Sequence, residues 1–364
     1  MPDDAKPTND HKTVIEPWPV DALMEELRAT YEKEGLGTSW KDECPSFKEA
    51  LKAIQQSLPV GRYIAKSVVG VGGSGIVLRL ADNLFPKLDK ALKFPRPVGG
   101  KVDLIADMLT KEISYLAELR HPGIVSIVDY KTIGETAAYH SLPFYVMDFV
   151  EGSPSHKRLR DGDVTEQQFY DLVMLTAQTL AYLHSGQAQK FAHLDIKPEN
   201  IMMTASGKPV MIDLGTCKRL QSDGAVTIVA CTRSLAHPQL VRKLAEDPSD
   251  DNRARGELRR SEIDPSWDLW AFALTLLAWL GVDRDSGEVS PDGIYHRLAP
   301  YSRKYYMLLA ARLLTYSVRS WLAKRLGLSE VVLKDFAISS ADDLCEVIAR
   351  LGGTSGTFAR MNRQ

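Results

Sequence analysis

The chain reads His193-Leu194-Asp195-Ile196-Lys197-Pro198-Glu199-Asn200 in its middle and, eighteen residues after that aspartate, Asp213-Leu214-Gly215. These runs bring together carboxylate, amide and ammonium groups. Such groups can orient a hydroxyl, neutralise charge and bind a hard cation such as Mg²⁺ through oxygen. Two runs of this composition at this spacing are too specific to be accidental, and they indicate a functional site.

A glycine-rich run lies upstream and reads Gly70-Val71-Gly72-Gly73-Ser74-Gly75-Ile76-Val77. Glycines let the backbone approach phosphates closely and turn N–H groups toward negative charge. Strand-like patterns flank the run on both sides, whereas a dinucleotide-binding fingerprint would lie between a strand and a helix. Alone the run is a weak signal, but this context favours a hairpin that folds over a nucleotide.

A single lysine, Lys93, stands in an apolar strand pattern between Leu92 and Phe94. A buried ammonium group needs an anionic partner to offset the loss of hydration. The helical pattern that follows, over about residues 102–120, offers Glu112 as that partner. We therefore expect an ion pair between Lys93 and Glu112.

Taken in order from Gly70 to about Trp270, these motifs resemble those of the eukaryotic-like (Hanks-type) serine/threonine protein kinase family. The resemblance implies an α+β, two-lobed fold. Its small N-lobe would be mainly antiparallel β with one key helix, and its larger C-lobe would be α-helical. The periodicity agrees, because strand patterns prevail from residue 61 to 150 and helical patterns after Gly152.

The resemblance also implies the reaction and the residues that carry it. ATP and Mg²⁺, with Mn²⁺ as an alternative, would be the cofactors, and Ser or Thr hydroxyls of a protein substrate, including the chain itself, would be the acceptors. Lys93, oriented by Glu112, would hold phosphates, Asp195 would orient the acceptor hydroxyl, and Lys197 would neutralise charge. Asn200 and Asp213 would hold the metal. The remaining nucleotide contacts are expected from Gly70, Gly72, Gly75, Val77, Ala91, Met147, Asp148, Val150 and Met203.

Three features separate subclasses of the family. Lys197, two positions after Asp195, is the serine/threonine-kinase pattern, and Thr232 lies where such kinases carry a threonine that bonds the catalytic loop. Asp268 resembles the aspartate of a central buried helix that holds that loop. Two alternatives stay open: a small-molecule phosphotransferase of the same architecture, and a nucleotide-binding pseudokinase scaffold.

The sequence departs from the family pattern at four places. Leu194 replaces the arginine that usually meets an activation-loop phosphate, which makes this a non-RD sequence. We therefore expect alanine at both Ser222 and Thr227 to leave at least about half of the activity. Leu214 replaces the phenylalanine of D-F-G, and Gln239 replaces the glutamate of A-P-E. The fourth departure is a long stretch before Asp268 that holds a charged insert at about 242–262. We expect this insert to be solvated, and a role in docking a substrate or partner is the weaker alternative.

Domain organisation follows from these assignments. We expect an N-terminal extension over residues 1–58 with two amphipathic helices and a possible binding role toward a partner, an N-lobe at 59–150, a C-lobe at 151–355 and a tail at 356–364. The hinge is expected near residues 148–153.

Composition narrows the class further. A net charge of −2 and 44% apolar residues are ordinary for a folded protein and give no reason to expect nucleic-acid binding. The most apolar stretch, 269–282, is too short for a membrane span, and the acidic N-terminus does not read as a secretory signal. Four scattered cysteines form neither a disulfide framework nor a zinc site. We therefore expect a cytoplasmic protein without a membrane partner.

Overall fold

The computed structural model describes residues 17–73, 75–98, 101–136, 138–162, 164–185, 189–220, 226–247, 250–283, 288–290, 293–314, 338 and 340–352. The chain divides into two compact units. The first comprises the described residues of Met1–Ala117 and Ser126–Phe149, and the second those of Glu118–Val125 and Val150–Gln364.

A five-stranded antiparallel sheet with the order β1-β2-β3-β5-β4 forms the centre of the first unit. Its strands are β1 Tyr63–Val71, β2 Ile76–Asp82, β3 Lys90–Phe94, β4 Ile127–Ile133 and β5 Leu142–Asp148. Strand β2 alternates between buried and half-buried residues, whereas every residue of the central strand β3 is buried. A polar side chain on β3 therefore needs a partner inside the protein.

Two helices of the N-terminal extension pack on this sheet. They are α1 Val20–Lys33 and α2 Trp40–Ser57. Their buried faces share one apolar core with strands β1, β2, β3 and β5, and these faces consist of Leu23, Leu27, Tyr31, Phe47, Leu51 and Ile54. The sheet of the same unit thus covers the two apolar stripes, and a partner for the N-terminal extension stays a prediction.

Hydrogen bonds also fix the extension to the sheet. Trp18 Nε1 donates to Tyr63 O at 2.9 Å, and Glu26 Oε2 accepts from Val68 N at 2.8 Å. Both bonds use backbone groups of β1, which is an edge strand and would otherwise expose them. The extension therefore covers part of the open edge of the sheet.

The second unit is mainly helical. Its helices are α4 Ser155–Arg160, α5 Glu166–Ser185, α6 Pro238–Lys243, α7 Ser266–Leu280, α8 Pro300–Leu313 and α9 Ala341–Gly352, while α3 Val102–Glu118 belongs almost wholly to the first unit. Helix α7 is buried along nearly its whole length and ends at Gly281, whose φ of +76° suits glycine. The sequence pattern predicts a helix over 300–325, of which α8 covers the first part, and residues 315–325 lie outside the described residues. Within the part of the chain that the structure describes, no helix has the length and apolarity to cross a bilayer.

Short strands complete the second unit. They are β6 Gly152–Pro154, β7 Phe191–Ala192, β8 Ile201–Thr204, β9 Pro209–Met211, β10 Lys218–Arg219, β11 Val226–Thr232, β12 Ala245–Asp247 and β13 Asp250–Arg259. Strands β11, β13 and β12 form an antiparallel sheet in that order. Strands β12 and β13 lie in the charged stretch that we expected to be a solvated insert, so this stretch contains structure that the sequence interpretation missed.

Candidate active site

The lysine of strand β3 forms a buried ion pair with helix α3. Lys93 Nζ lies 3.0 Å from Glu112 Oε1 and 2.9 Å from Oε2, and both side chains are almost fully buried. Tyr145 donates a further hydrogen bond to Glu112 Oε1 at 3.0 Å. Because a buried charge is costly without a partner, the pair and the tyrosine together hold the ammonium group at a defined place on the sheet.

Four residues predicted to contact the nucleotide lie on one face of the sheet. Val77 is paired with Lys93 across β2 and β3, and Ala91 is paired with Met147 across β3 and β5. Residues two apart on a strand share a face, so the two pairs lie side by side. Asp148 follows at the end of β5, where its carboxylate accepts from Lys90 Nζ at 2.8 Å and its N–H donates to Ser126 O at 3.0 Å.

The glycine-rich run forms the turn between β1 and β2. Gly75 is required by packing, because a Cβ there would lie 2.6 Å from Phe94 O. A Cβ at Gly70 would meet nothing within 4 Å, and one at Gly72 only a backbone oxygen at 3.9 Å, and neither glycine has a positive φ. The fold alone does not demand glycine at these two positions. A phosphate group that comes close to the backbone would leave no room for a side chain and would require glycine there, so the turn fits a nucleotide phosphate.

In the second unit, the side chains of Asp195, Lys197 and Thr232 form a hydrogen-bonded triangle. Asp195 Oδ2 accepts from Lys197 Nζ at 2.8 Å, and its Oδ1 accepts from Thr232 N at 3.0 Å and Thr232 Oγ1 at 2.6 Å. Lys197 Nζ also donates to Thr232 Oγ1 at 3.2 Å. These charge-assisted bonds fix the carboxylate and the ammonium group relative to strand β11.

Asn200 and Asp213 are brought together by the strands that precede the D-x-G run. Asn200 Nδ2 donates to Asp195 O at 2.9 Å, and Asn200 O accepts from Ile212 N at 3.0 Å. Asp213 Oδ1 accepts from Gly215 N at 2.9 Å. Because Asn200 donates through its amide nitrogen, its carboxamide oxygen is left as a potential metal ligand.

Two protein oxygen donors suit Mg²⁺, which usually binds one or two protein groups together with water and substrate phosphates. Among the described residues, no group of three or more His, Cys, Asp or Glu side chains could hold a metal by itself. The donor set therefore fits a cation that arrives with a phosphate ligand better than it fits a resident structural metal.

Asp268 of helix α7 holds residues 193–200, here called the catalytic loop after the role predicted for it, at His193 and Leu194. Its fully buried carboxylate accepts from His193 N at 2.7 Å, from Leu194 N at 2.7 Å and from His184 Nε2 at 2.8 Å. Burial by itself would raise the pKa of Asp268, but the hydrogen bond and charge of His184 and the contacts with His193 bring that pKa below its ordinary value. Asp268 is therefore a buried anion that three donors stabilise.

The backbone at Leu194 is strained. Its φ is +67°, and among the described residues no other non-glycine residue has a positive φ. Such a conformation costs about 1–3 kcal/mol and persists only where the surroundings impose it. The hydrogen bonds from the N–H groups of His193 and Leu194 to Asp268 hold the backbone in this conformation. Asp195, the next residue, meets Thr232.

Met203 is a correction to the predicted nucleotide contacts. Its side chain is 0% exposed, because alternate residues of β8 face the interior, and a fully enclosed side chain offers no surface to a ligand. Its neighbour Met202 points to the other side of the strand and is half-buried. Met202 is thus the better candidate. Val150, the other predicted contact in this unit, is half-buried.

A comparison with protein families agrees with this arrangement. A model described as the protein kinase domain matches residues 63–283, more than half of the chain. The chain belongs to the protein kinase domain family. The α+β, two-lobed kinase fold expected from the sequence is confirmed with it.

Curated relatives of this kinase-family chain are named serine/threonine-protein kinases. The chain is 24% identical over 202 residues to max-2 of Caenorhabditis elegans, covering 52% of this chain and 28% of that protein. It is 31% identical over 161 residues to PksC of Streptomyces coelicolor, covering 43% and 28%. It is 29% identical over 194 residues to PknB of Mycobacterium leprae, covering 52% and 30%. The match thus spans about three tenths of each relative's length.

Proposed function

We propose that this chain is an ATP- and Mg²⁺-dependent protein kinase that transfers the γ-phosphate to Ser or Thr hydroxyls and is of the non-RD type. The observation that carries the proposal is the triangle of Asp195, Lys197 and Thr232. The triangle joins the proposed acid–base group to the segment along which a peptide substrate would lie. The names of the relatives support the same reaction.

Asp195 would receive, or at least orient, the proton of the acceptor hydroxyl. Phosphoryl transfer depends mainly on positioning and charge neutralisation, so a carboxylate held by several hydrogen bonds suits this task. Lys197, bound to the same carboxylate, would place its positive charge beside the group in transfer. Thr232 keeps both side chains oriented while the substrate binds and leaves.

Each unit has groups of its own that would contribute to nucleotide binding. Lys93, fixed by Glu112, would bind phosphate oxygens, and the glycines of the turn between β1 and β2 would let the backbone come close to them. Asn200 and Asp213 would hold Mg²⁺ through oxygen. When bound, ATP supplies the phosphoryl group and the cation neutralises the charge that develops on it.

The two alternatives receive less support. A small-molecule phosphotransferase does not need the bond between Thr232 and the catalytic loop, since no peptide has to be aligned there. A pseudokinase scaffold does not need the complete set of Lys93, Glu112, Asp195, Asn200 and Asp213. Both features are present in this chain.

The test is transfer of labelled γ-phosphate from ATP, with Mg²⁺, Mn²⁺ or EDTA, to the chain itself, to a basic protein, to choline and to an aminoglycoside. Asp213→Asn is the inactive variant, and Asp171→Asn on the exposed side of α5 is the matched control. We expect metal-dependent label on Ser or Thr in the wild type and in Asp171→Asn, and none in Asp213→Asn. Label only on a small molecule, or nucleotide binding without transfer, would overturn the proposal.

A further inference from the structure

The charged insert supplies a strand that pairs with β11, which belongs to the activation segment, the stretch between Asp213 and Gln239. Strand β13 lies antiparallel to β11 over seven residue pairs, from Val226 opposite Arg259 to Thr232 opposite Arg253. Strand β12 pairs with the other edge of β13. The segment that carries Thr232 is therefore one strand of a three-stranded sheet, and the insert provides the other two.

The paired strands present one apolar face. On β11, Thr227, Val229 and Cys231 are buried, and on β13 the residues opposite them are Leu258, Gly256 and Ala254. Gly256 makes room for the side chain of Leu244 at the centre of this face. A Cβ at position 256 would lie only 3.2 Å from Leu244 Cδ2. The opposite face of β13 carries the exposed Glu257 and Arg259. The strand is thus amphipathic, with its apolar side turned inward.

Leu194 joins the catalytic loop to this face. It belongs to one buried cluster, here called the Leu194 cluster, that consists of Ala192, Leu194, Val229, Cys231, Leu240, Ala254, Leu258, Ile263 and Trp267. Leu194 stands where the resemblance to the family leads one to expect an arginine that meets a phosphate. Leu194 instead packs against apolar residues of β11 and β13.

A second departure lies nearby. Gln239 lacks the charge of the glutamate expected at its position, and helix α6 is capped there by His237, whose Nδ1 accepts from the backbone N–H of residue 239 at 3.2 Å. The His237 ring lies parallel to that of Trp267, a member of the Leu194 cluster, with centroids 6.3 Å apart. The end of the activation segment is therefore also anchored to the cluster.

Resting on the proposed function, we propose that strand β13 and the Leu194 cluster keep segment 226–232 ordered without phosphorylation, with Leu258 as a positioning residue that acts through β11 and Thr232. Thr227 is buried in the sheet and so is not offered to another kinase while the strand is paired. Ser222 lies outside the described residues. The insert replaces a switchable ionic contact with a permanent hydrophobic one.

The experiment compares the full-length wild type with Leu258→Ser, Leu258→Met and Glu257→Ser. Leu258→Ser places a polar group in the Leu194 cluster, Leu258→Met keeps an apolar side chain of similar volume, and Glu257→Ser changes the exposed neighbour on the same strand. Hydrogen exchange of the amides of 226–232 and 254–259 is measured beside kcat and the KM for ATP. Exchange in α5 and α7 reports whether the rest of the unit stays folded.

We expect Leu258→Ser to speed exchange in 226–232 by at least about tenfold and to lower kcat by at least about tenfold, with the KM for ATP within about twofold of wild type. Leu258→Met and Glu257→Ser should match the wild type. Phosphatase-treated wild type should keep at least about half of its activity. Unchanged exchange in Leu258→Ser, or activity that phosphatase abolishes, would overturn the inference.

These readouts keep two failures apart. If the wild type transfers no phosphate, the proposed function fails, whereas exchange in segment 226–232 still decides whether β13 orders it. If Leu258→Ser exposes α5 and α7 as well, a milder Leu258→Ala variant gives the same comparison. Uniformly faster exchange in that variant too, without preference for 226–232, would count against a positioning role.

Discussion

Replacing Asp268 by asparagine tests the support of the catalytic loop most sharply, because the change keeps the shape and removes the charge. The carboxylate accepts three hydrogen bonds at 2.7–2.8 Å from His193 N, Leu194 N and His184 Nε2. Asparagine has one acceptor oxygen. With that oxygen toward His193 and His184, its NH₂ group faces Leu194 N–H, so two buried donors oppose each other.

The magnitude follows from these contacts. One lost hydrogen bond to a charged acceptor is worth about 1.5–3 kcal/mol, and a buried donor left without a partner costs about 1–3 kcal/mol. We therefore expect Asp268→Asn to lower the free energy of unfolding by about 3–5 kcal/mol. The strained backbone at Leu194, no longer held through both N–H groups, should relax and carry Asp195 away from Thr232, so that transfer activity falls as well.

The assay is urea unfolding at neutral pH followed by tryptophan fluorescence. Asp264→Asn is the matched control, because the exposed carboxylate of Asp264 accepts from Ser266 N at 2.8 Å, and an asparagine oxygen can do the same. The control should lie within about 0.5 kcal/mol of wild type. A loss below about 1 kcal/mol in Asp268→Asn would refute the reasoning about the three bonds.

Three further predictions concern other buried groups. Glu43→Gln should lower the free energy of unfolding by about 3–5 kcal/mol in urea titrations. The Arg96 guanidinium, which Glu43 binds through two hydrogen bonds of 2.8 Å, would stay buried without its anionic partner. A loss under about 1 kcal/mol would contradict this. Burial lowers the pKa of His193 in the folded chain. As the pH falls below about 6.5, the unfolded chain therefore binds a proton before the folded chain does. The free energy of unfolding should then drop by about 1.4 kcal/mol per pH unit until the pH reaches the pKa of the folded chain. That dependence should weaken in His193→Asn, and equal slopes between pH 7 and 5.5 would show that the histidine does not contribute. Lys93→Met should slow phosphoryl transfer by about 10²–10³-fold in initial-rate assays, since Glu112 loses its cation and the phosphates lose a fixed charge, and a rate within about threefold of wild type would rule out that role.

Much of the fold could be predicted because local patterns and tertiary packing agree. The stripe of Leu23, Leu27 and Tyr31 indicated a helix, and the structure has one over Val20–Lys33. Glycine and β-branched residues marked the first three strands, and a long apolar run marked helix α7. What the N-terminal stripes pack against could not be predicted, since periodicity gives a buried face but not its partner.

The strand in the charged insert was missed although the sequence contained a signal. Residues 253–259 read Arg-Ala-Arg-Gly-Glu-Leu-Arg, which alternates charged with small or apolar residues at the period of two that is typical of a strand. The high charge density of the region outweighed this pattern. The compensation for Leu194 could not be foreseen for another reason, because it depends on which strand pairs with which, and a single sequence does not give that pairing.

The site was predictable in its residue types more than in its detailed contacts. The charge pattern indicated the pairing of Lys93 with Glu112, and it is present. The contact predicted for Met203 depended on strand register, because a one-residue shift turns a side chain to the other face of the strand. The role of Tyr145 as a donor to Glu112 was not anticipated, since nothing in the sequence places these two residues together.

The most direct test of the central claim, that Asp195 is the acid–base or orienting group of a phosphoryl-transfer site, is the initial rate of transfer by Asp195→Asn. ATP binding to the same protein is followed by a fluorescent nucleotide. The account predicts a rate about 10²–10⁴-fold below wild type, with the affinity for ATP within about threefold, because Asp195 would contact the acceptor hydroxyl and not the nucleotide. A turnover rate within about threefold of wild type would contradict it.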